Sequence, residues 1–195
     1  MWRKKIAKGQ YGYIAQQKKW STARTLILFA LSLSIFIIGI ISTGSKENLL
    51  TVVAVLGCLP AGRSAVNTIM FLRARGCSKE TKEKISLSCG DMTQLYDMFF
   101  TSYEKNYQVS HMVVQDNIVC GYSESPKTDG SRCEKHLDTY LKQGGCKGVA
   151  IKIFDDIEKY CEGLANLQKQ KPSQVKGGLT GQEQEILDNL LSISL

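Results

Sequence analysis

The chain has 195 residues and a formal net charge of +7, from 25 Lys and Arg against 18 Asp and Glu. That length suits one or two domains, and the charge would point to nucleic acid if it were spread evenly. Residues 1–75 hold eleven bases and the single acid Glu47, a balance of +10, whereas residues 76–195 hold fourteen bases and seventeen acids, a balance of −3. The C-terminal part therefore has no electrostatic footprint for DNA or RNA, and the basicity belongs to the N-terminal part.

Residues 1–24 interleave bases with Trp2, Tyr11, Tyr13 and Trp20. Aromatic rings favour the headgroup zone and bases favour anionic lipid, so this juxtamembrane arm is expected on the inner leaflet; its simplest alternative role is to fix topology. Thr25 to Ser42 (TLILFALSLSIFIIGIIS) is an uncharged run of eighteen residues, which at about 1.5 Å per residue suits a hydrocarbon core of about 30 Å. A cleavable signal peptide fits less well, because 24 polar and basic residues precede the run and no clean cleavage site follows it.

Thr43 to Asn48 reads as a turn, and Leu49 to Leu72 as a second span whose latter half is interrupted by Pro60, Arg63 and Asn67. Bases crowd both outer flanks of this pair, and only Lys46 lies between the spans. The positive-inside rule thus predicts a two-span hairpin with both termini cytoplasmic. Arg63 is expected either to snorkel to the headgroups or, with Asn67 one turn further along, to contact a lipid phosphate or a partner carboxylate. Gly57, Ala61 and Ala65 recur every four residues, a small-residue face expected to pack on Ala30 and Ser34 of the first span, with a homodimer as the alternative.

The run Val52 to Ala74, with QYGYIA at Gln10 to Ala15 and FFTSYEKNY at Phe99 to Tyr107, resembles an uncharacterised family of small two-span membrane proteins of Gram-positive anaerobic bacteria. The resemblance covers most of the chain and implies a bacterial plasma membrane. It brings no catalytic residues to transfer.

Residues 76–168 read as a small α+β cytoplasmic domain. Ser78 to Lys84 is a charged helical turn or linker, and Ile85, Leu87 and Cys89 alternate as in a short strand, a pattern that leaves this stretch ambiguous. Asp91 suits the N-cap of a helix on which Leu95, Met98, Phe99 and Tyr103 recur at helical spacing. His111 to Gln115 and Ile118 to Tyr122 form a β-hairpin about Asp116-Asn117, and Ser123 to Arg132 is a polar loop. Cys133, Leu137, Tyr140 and Leu141 mark a helix ending at Gly144-Gly145. Val149, Ile151 and Ile153 alternate as a strand. Asp155 with Glu158 caps a helix packed through Ile157, Tyr160, Cys161, Leu164 and Leu167. The economical architecture for this order is a small sheet with helices on one face. Residues 169–179 read as a linker, and residues 180–195 as an amphipathic helix opened by the capping-box pair Thr180 and Glu183. Its stripe of Ile186, Leu187, Leu190 and Leu191 needs a cover: the domain, a protein partner or the membrane.

The chemistry motifs are few. Val149 to Lys152 spells the kinase strand tetrad VAIK, but the glycine loop, HRD and DFG segments are missing, as are Walker A and GxSxG sequences. A nuclease of the αβββαβ type would need Glu-x-Lys on its strand, and Lys152 has Ala150 at the acidic position. No cofactor is expected. The seven cysteines contain no CxxC pair, and their odd number argues against a disulfide framework in a reducing compartment. His111, Cys120, Cys133 and His136 form one candidate zinc set, because Cys133-x-x-His136 has ligand spacing; Cys77, beside Arg75 and Lys79, is a candidate reactive thiol. Three function classes follow: a membrane-anchored binding or adaptor module with a protein partner, a membrane-bound enzyme using Ser123 to Arg132, and an accessory subunit of a transporter or envelope complex. The first is expected, with Ile186, Leu187, Leu190 and Leu191 as the docking stripe.

Overall fold

A computed structural model describes residues 6–90, 92–102, 105–170 and 180–195. The chain divides into two compact units, residues 14–74 and a second unit built from the N-terminal residues through Tyr13 together with Arg75–Leu195.

The first unit is a helical pair. Helix α1 (Tyr13–Thr43) is longer than the uncharged run, and α2 (Leu49–Arg73) continues through Pro60. Both are long and apolar enough to span a membrane. The turn between them is closed by Asn48, whose Oδ1 accepts the Thr51 N–H at 2.8 Å and so caps α2. The seam between the helices repeats every seven residues: Thr25, Ser32 and Gly39 are buried on α1, and Ala54, Ala61 and Thr68 on α2. Gly57 sits so close to Ser32 that a Cβ on it would meet Ser32 Oγ at 2.9 Å. The expected packing face is corrected accordingly. Gly57 and Ala61 are in the seam, Ala65 is only half-buried, and Ala30 and Ser34 are exposed. A period near 3.5, rather than 4, keeps one face of each helix on its partner over many turns.

The second unit is a small α+β domain on a four-stranded mixed sheet in the order β1-β2-β3-β4, with β1 Thr93–Thr101, β2 Asn106–Gln115, β3 Ile118–Tyr122 and β4 Ala150–Phe154. The first three strands form an antiparallel meander, and β4 lies parallel to β3 after the helix α4 (Gly130–Gln143). Asp116 opens the β2–β3 turn with φ 50°, the left-handed conformation that Asp tolerates. Two cores flank the sheet. Met112, Val114, Val119 and Ile153 pack with Cys133, Leu137 and Leu141 of α4 and with Ile186, Leu187 and Leu190 of α6 (Gly181–Ile193). Their neighbours Val113, Cys120 and Tyr122 pack with Ile85 of α3 (Lys79–Ser86) and with Tyr160, Leu164 and Leu167 of α5 (Ile157–Gln170). Successive strand residues face opposite ways, so the helices cover both faces of the sheet, not one.

Three local expectations change with this architecture. Residues 79–86 are helical and Ile85 is a core residue, so the alternation of Ile85, Leu87 and Cys89 does not mark a strand. The helix expected through Leu95, Met98 and Phe99 is strand β1; Asp91 and Tyr103 lie outside the described residues. The spacing misleads because Asp97 adopts φ 57° in mid-strand, which breaks the two-residue alternation and returns Met98 and Phe100 to the core that already holds Leu95. Helix α5 is capped by Asp156, whose Oδ1 accepts the Glu158 N–H at 2.8 Å, and not by Asp155.

Helix α6 belongs to the domain. Its capping box is formed, and Glu183 reaches further, accepting the Asp116 N–H at 2.8 Å and so fastening the helix to the β2–β3 turn. The docking stripe is thereby reassigned: Ile186, Leu187 and Leu190 are buried in the core and Leu191 is packed against it, so the cover is the domain itself. Of the expected linker 169–179, residues 169 and 170 belong to α5, and residues 171–179 lie outside the described residues. Truncating Leu190 to Ala should cost the domain about 2–5 kcal/mol, whereas the exposed Gln184→Ala should change stability by no more than about 0.5 kcal/mol. Denaturant titration of the two variants by circular dichroism measures the difference, and equal midpoints would place α6 outside the cooperative fold.

Candidate functional site

The parallel strands β3 and β4 end at the same edge of the sheet, and the crossover places the start of α4 beside them. The result is a polar cleft of about 170 Å³ lined by Ser123, Thr128, Asp129, Gly130, Ser131, Glu134, Lys152 and Asp155. Crevices beyond the carboxyl ends of parallel strands are common binding places, and this one incorporates much of the loop singled out for an enzymatic role. Its polar groups already serve the fold. Ser123 Oγ donates to the Gln108 carbonyl at 2.6 Å, and Thr128 Oγ1 to the same oxygen at 3.2 Å. Asp129 caps α4 by accepting the Arg132 N–H and pairs with the Arg132 guanidinium at 3.3 Å. Glu134 accepts the Ile153 N–H at 2.9 Å and lies 3.4 Å from Lys152 Nζ. The volume is below the roughly 300–1,000 Å³ of small-molecule pockets, enough for the tip of one polar side chain.

A second grouping is buried. His111 accepts or donates at Nδ1 with Tyr160 Oη at 2.7 Å, and its Nε2 lies 3.4 Å from Gln94 Oε1. Gln94 Oε1 also accepts the Tyr96 hydroxyl at 2.8 Å. An amide oxygen only accepts, so Nε2 carries the proton and Nδ1 accepts from Tyr160. Burial pushes the His111 pKa down to about 3, which keeps the ring neutral.

Beside this network lies Asp97, whose oxygens accept the N–H of Gly12 at 2.9 Å and of Cys77 at 2.7 Å. The residues that adjoin α1 and α2 in the chain are thereby gathered at one point of β1. The arm supports the same junction. The Gly9 carbonyl accepts the Tyr96 N–H at 2.7 Å, Tyr11 meets Tyr96 edge to face, and Lys82 Nζ stands over the Tyr11 ring at 4.2 Å. Gly9 has φ 81°, and a Cβ there would meet Leu95 Cδ2 at 2.8 Å, so both conformation and space require glycine. The described arm residues through Tyr13 thus form part of the domain.

The zinc set does not assemble. His111, bonded to Tyr160, and Cys120 face the α3/α5 side of the sheet, Cys133 is in the core on the α4 side, and His136 of α4 lies between Tyr107 and Tyr140 with its ring tilted to both. Among the described residues no group of three or more His, Cys, Asp or Glu is placed to hold a metal ion. At Cys77 burial, reinforced by the Glu124 and Asp97 charges, pushes the thiol pKa up to about 12, which disfavours the thiolate that a reactive cysteine uses. Arg63 and Asn67 are both exposed on α2. Sequence reasoning missed two features, Asp97 and the buried hydroxyl cluster in which Thr25 Oγ1 lies 2.7 Å from Ser64 Oγ and 2.8 Å from Thr68 Oγ1. The first had a signal, an acid inside the apolar run from Leu95 to Phe100.

No family model matches the chain, and no curated protein or solved structure is significantly similar to it.

The neutral state of His111 has a consequence for pH. Its folded pKa lies below the unfolded value of about 6.5, so the unfolded chain binds more protons between about pH 6.5 and 3, and stability falls as pH is lowered through that window. Melting temperatures between pH 7.5 and 5 should decline in the wild type and decline less steeply in His111→Gln, where only His136, its pKa also lowered by burial, remains; parallel slopes would show that His111 is not the titrating group.

Proposed function

We propose that the chain is a two-span membrane protein that holds its α+β domain at the cytoplasmic face of the plasma membrane, where the domain acts as a binding or adaptor module for a protein partner. The observation that carries the anchor is the apolar surface of the helical pair. Leu26, Ile27, Ile41, Leu49, Val55 and Leu59 are between 62% and 79% exposed. In the most apolar stretch of each helix only 17% of the residues are buried. Exposed apolar patches on soluble proteins seldom exceed a few hundred Å², whereas lipid covers such a belt at no cost. The orientation rests on charge: the bases flank the Tyr13 and Arg73 ends, and only Lys46 accompanies the intervening turn.

Binding, rather than covalent chemistry, is supported by the cleft. Asp129 and Glu134 are engaged in helix capping, strand contacts and ion pairs, Lys152 being the partner of Glu134, which leaves Ser131 and Asp155 as exposed polar groups for a partner's side chain or backbone. The α6 stripe, being buried, is not the docking surface.

The anchor is tested by carbonate extraction and thiol labelling. With the native cysteines replaced, Lys46→Cys should react with an impermeant maleimide in intact cells, and Lys147→Cys only after lysis. Labelling at 147 in intact cells would invert the topology, and release of the protein by carbonate would remove the membrane reading altogether.

A further inference from the structure

The hairpin's own geometry places its two outward-pointing arginines together. Gly57 lies on Ser32, and seven residues along each helix Ser64 is bonded to Thr25 at 2.7 Å, which fixes an antiparallel register. Arg24 and Arg63 each precede one member of that bonded pair. With a rise of about 1.5 Å per residue, they stand within about 3 Å of one another in height along the helix axes. Because the helices run in opposite directions, a step of roughly 100° back from the facing residue turns both side chains to the same side of the hairpin. Arg24 is also tethered at this height, its Nε donating to Ser64 Oγ at 3.4 Å. Asn67, three residues after Ser64, and Trp20, five before Thr25 and 64% exposed, fall on the same side.

Between residues 14 and 74 the sole acid is Glu47, in the turn at the far end of the helices. Two guanidiniums on one face of the hairpin therefore have no carboxylate there. Above them on α1 run the uncharged residues from Thr25 onward, about 28 Å of helix to Thr43, which sets the arginines at the depth of the lipid phosphates when that run fills the hydrocarbon core. Guanidinium forks match phosphate oxygens in pairs, an indole ring suits the same depth, and bases favour anionic over zwitterionic lipid.

We infer that Arg24 and Arg63, with Asn67 and Trp20 beside them, form a binding site for the phosphate headgroup of an anionic phospholipid in the leaflet nearer the Tyr13 and Arg73 ends. The inference rests on the two-span reading above and adds to it a specific lipid class and residue set. The site also accounts for an arginine inside the second span: Arg63 is held at headgroup depth by the hydroxyl cluster that sets the register.

The test uses the full chain purified in detergent, with native mass spectrometry and thermal unfolding read as phosphatidylglycerol, phosphatidylcholine or inorganic phosphate is added. The wild type should retain phosphatidylglycerol adducts and be stabilised by it in preference to phosphatidylcholine. Arg24→Gln and Arg63→Gln should each weaken that preference about fivefold, their combination should abolish it, and Lys46→Gln at the opposite end should leave it intact. The double Lys variant, which keeps both charges, guards against loss through misfolding and should retain part of the preference. Unchanged phosphatidylglycerol binding in the double Gln variant overturns the site, as does equal stabilisation by inorganic phosphate, which would make it a site for free anions. Carbonate extraction of the same variants separates the two claims: a protein that stays with the membrane but shows no lipid preference loses only the site, and one that is extracted loses the anchor as well.

Discussion

The carboxylate of Asp97 is the point at which the domain gathers the two chain segments that lead to and from the helical pair. Its backbone lies at φ 57° in the middle of β1, a conformation that costs a non-glycine residue roughly 1–3 kcal/mol. Against this stand two charge-assisted hydrogen bonds, from the Gly12 and Cys77 amides, each contributing about 1.5–3 kcal/mol. The bonds outweigh the strain, and they do so only while both segments are in place. Gly12 immediately precedes α1 and Cys77 follows α2 by a few residues, so one buried side chain gathers the entry to and the exit from a long insertion. Space is tight as well, since a Cβ on Gly76 would approach Asp97 Oδ1 to 3.1 Å.

The same strand is the sheet's outer edge, and an open edge invites pairing with other chains. Here the two ends of the described chain close it. The Gly9 carbonyl takes the Tyr96 N–H, the Leu195 N–H bonds the Phe99 carbonyl at 2.8 Å, and Ser194 forms an isolated bridge with Phe100. Lys8 Nζ joins the two covering segments by donating to the Ser194 carbonyl. Helix α6 is thus held from three sides, by the core, by Glu183 on the β2–β3 turn and by its last residues on β1, which explains how a thirteen-residue helix at a chain end is stable where an isolated one would be marginal.

Much of this was legible in the sequence, and the failures have definite causes. The helices in the apolar runs around Thr25 to Ser42 and Leu49 to Leu72, the turn at Asp116, the capping box at Thr180 and the apolar faces of α4 and α5 follow from local patterns. Strand β1 was not legible because Asp97 resets its alternation, so Leu95 and Met98 mimic a helical stripe. The hairpin seam was misassigned because Gly57, Ala61 and Ala65 satisfy a four-residue repeat as well as Ala54, Ala61 and Thr68 satisfy a seven-residue one, and only the partner helix decides between them. Amphipathicity showed that α6 must be covered but not by what. Spacing along the chain suggested a zinc set that the sheet divides between its two faces. The polar cleft was legible as the hydroxyl-rich loop at Ser123 to Arg132, although its partners Glu134, Lys152 and Asp155 come together only through the parallel pairing of β3 and β4.

Hydrogen exchange on the full chain and on Asp97→Asn tests the role of this carboxylate most directly. Asparagine accepts the same left-handed backbone but removes the charge and one acceptor oxygen, so the variant isolates the hydrogen bonds from the strain. The account predicts that the Gly12 and Cys77 amides lose protection by about tenfold or more, the loss of one charge-assisted bond, while the amide of Val113 in the central strand exchanges as before. Unchanged protection at Gly12 and Cys77 would contradict it, and would mean that packing alone holds the two segments against the sheet.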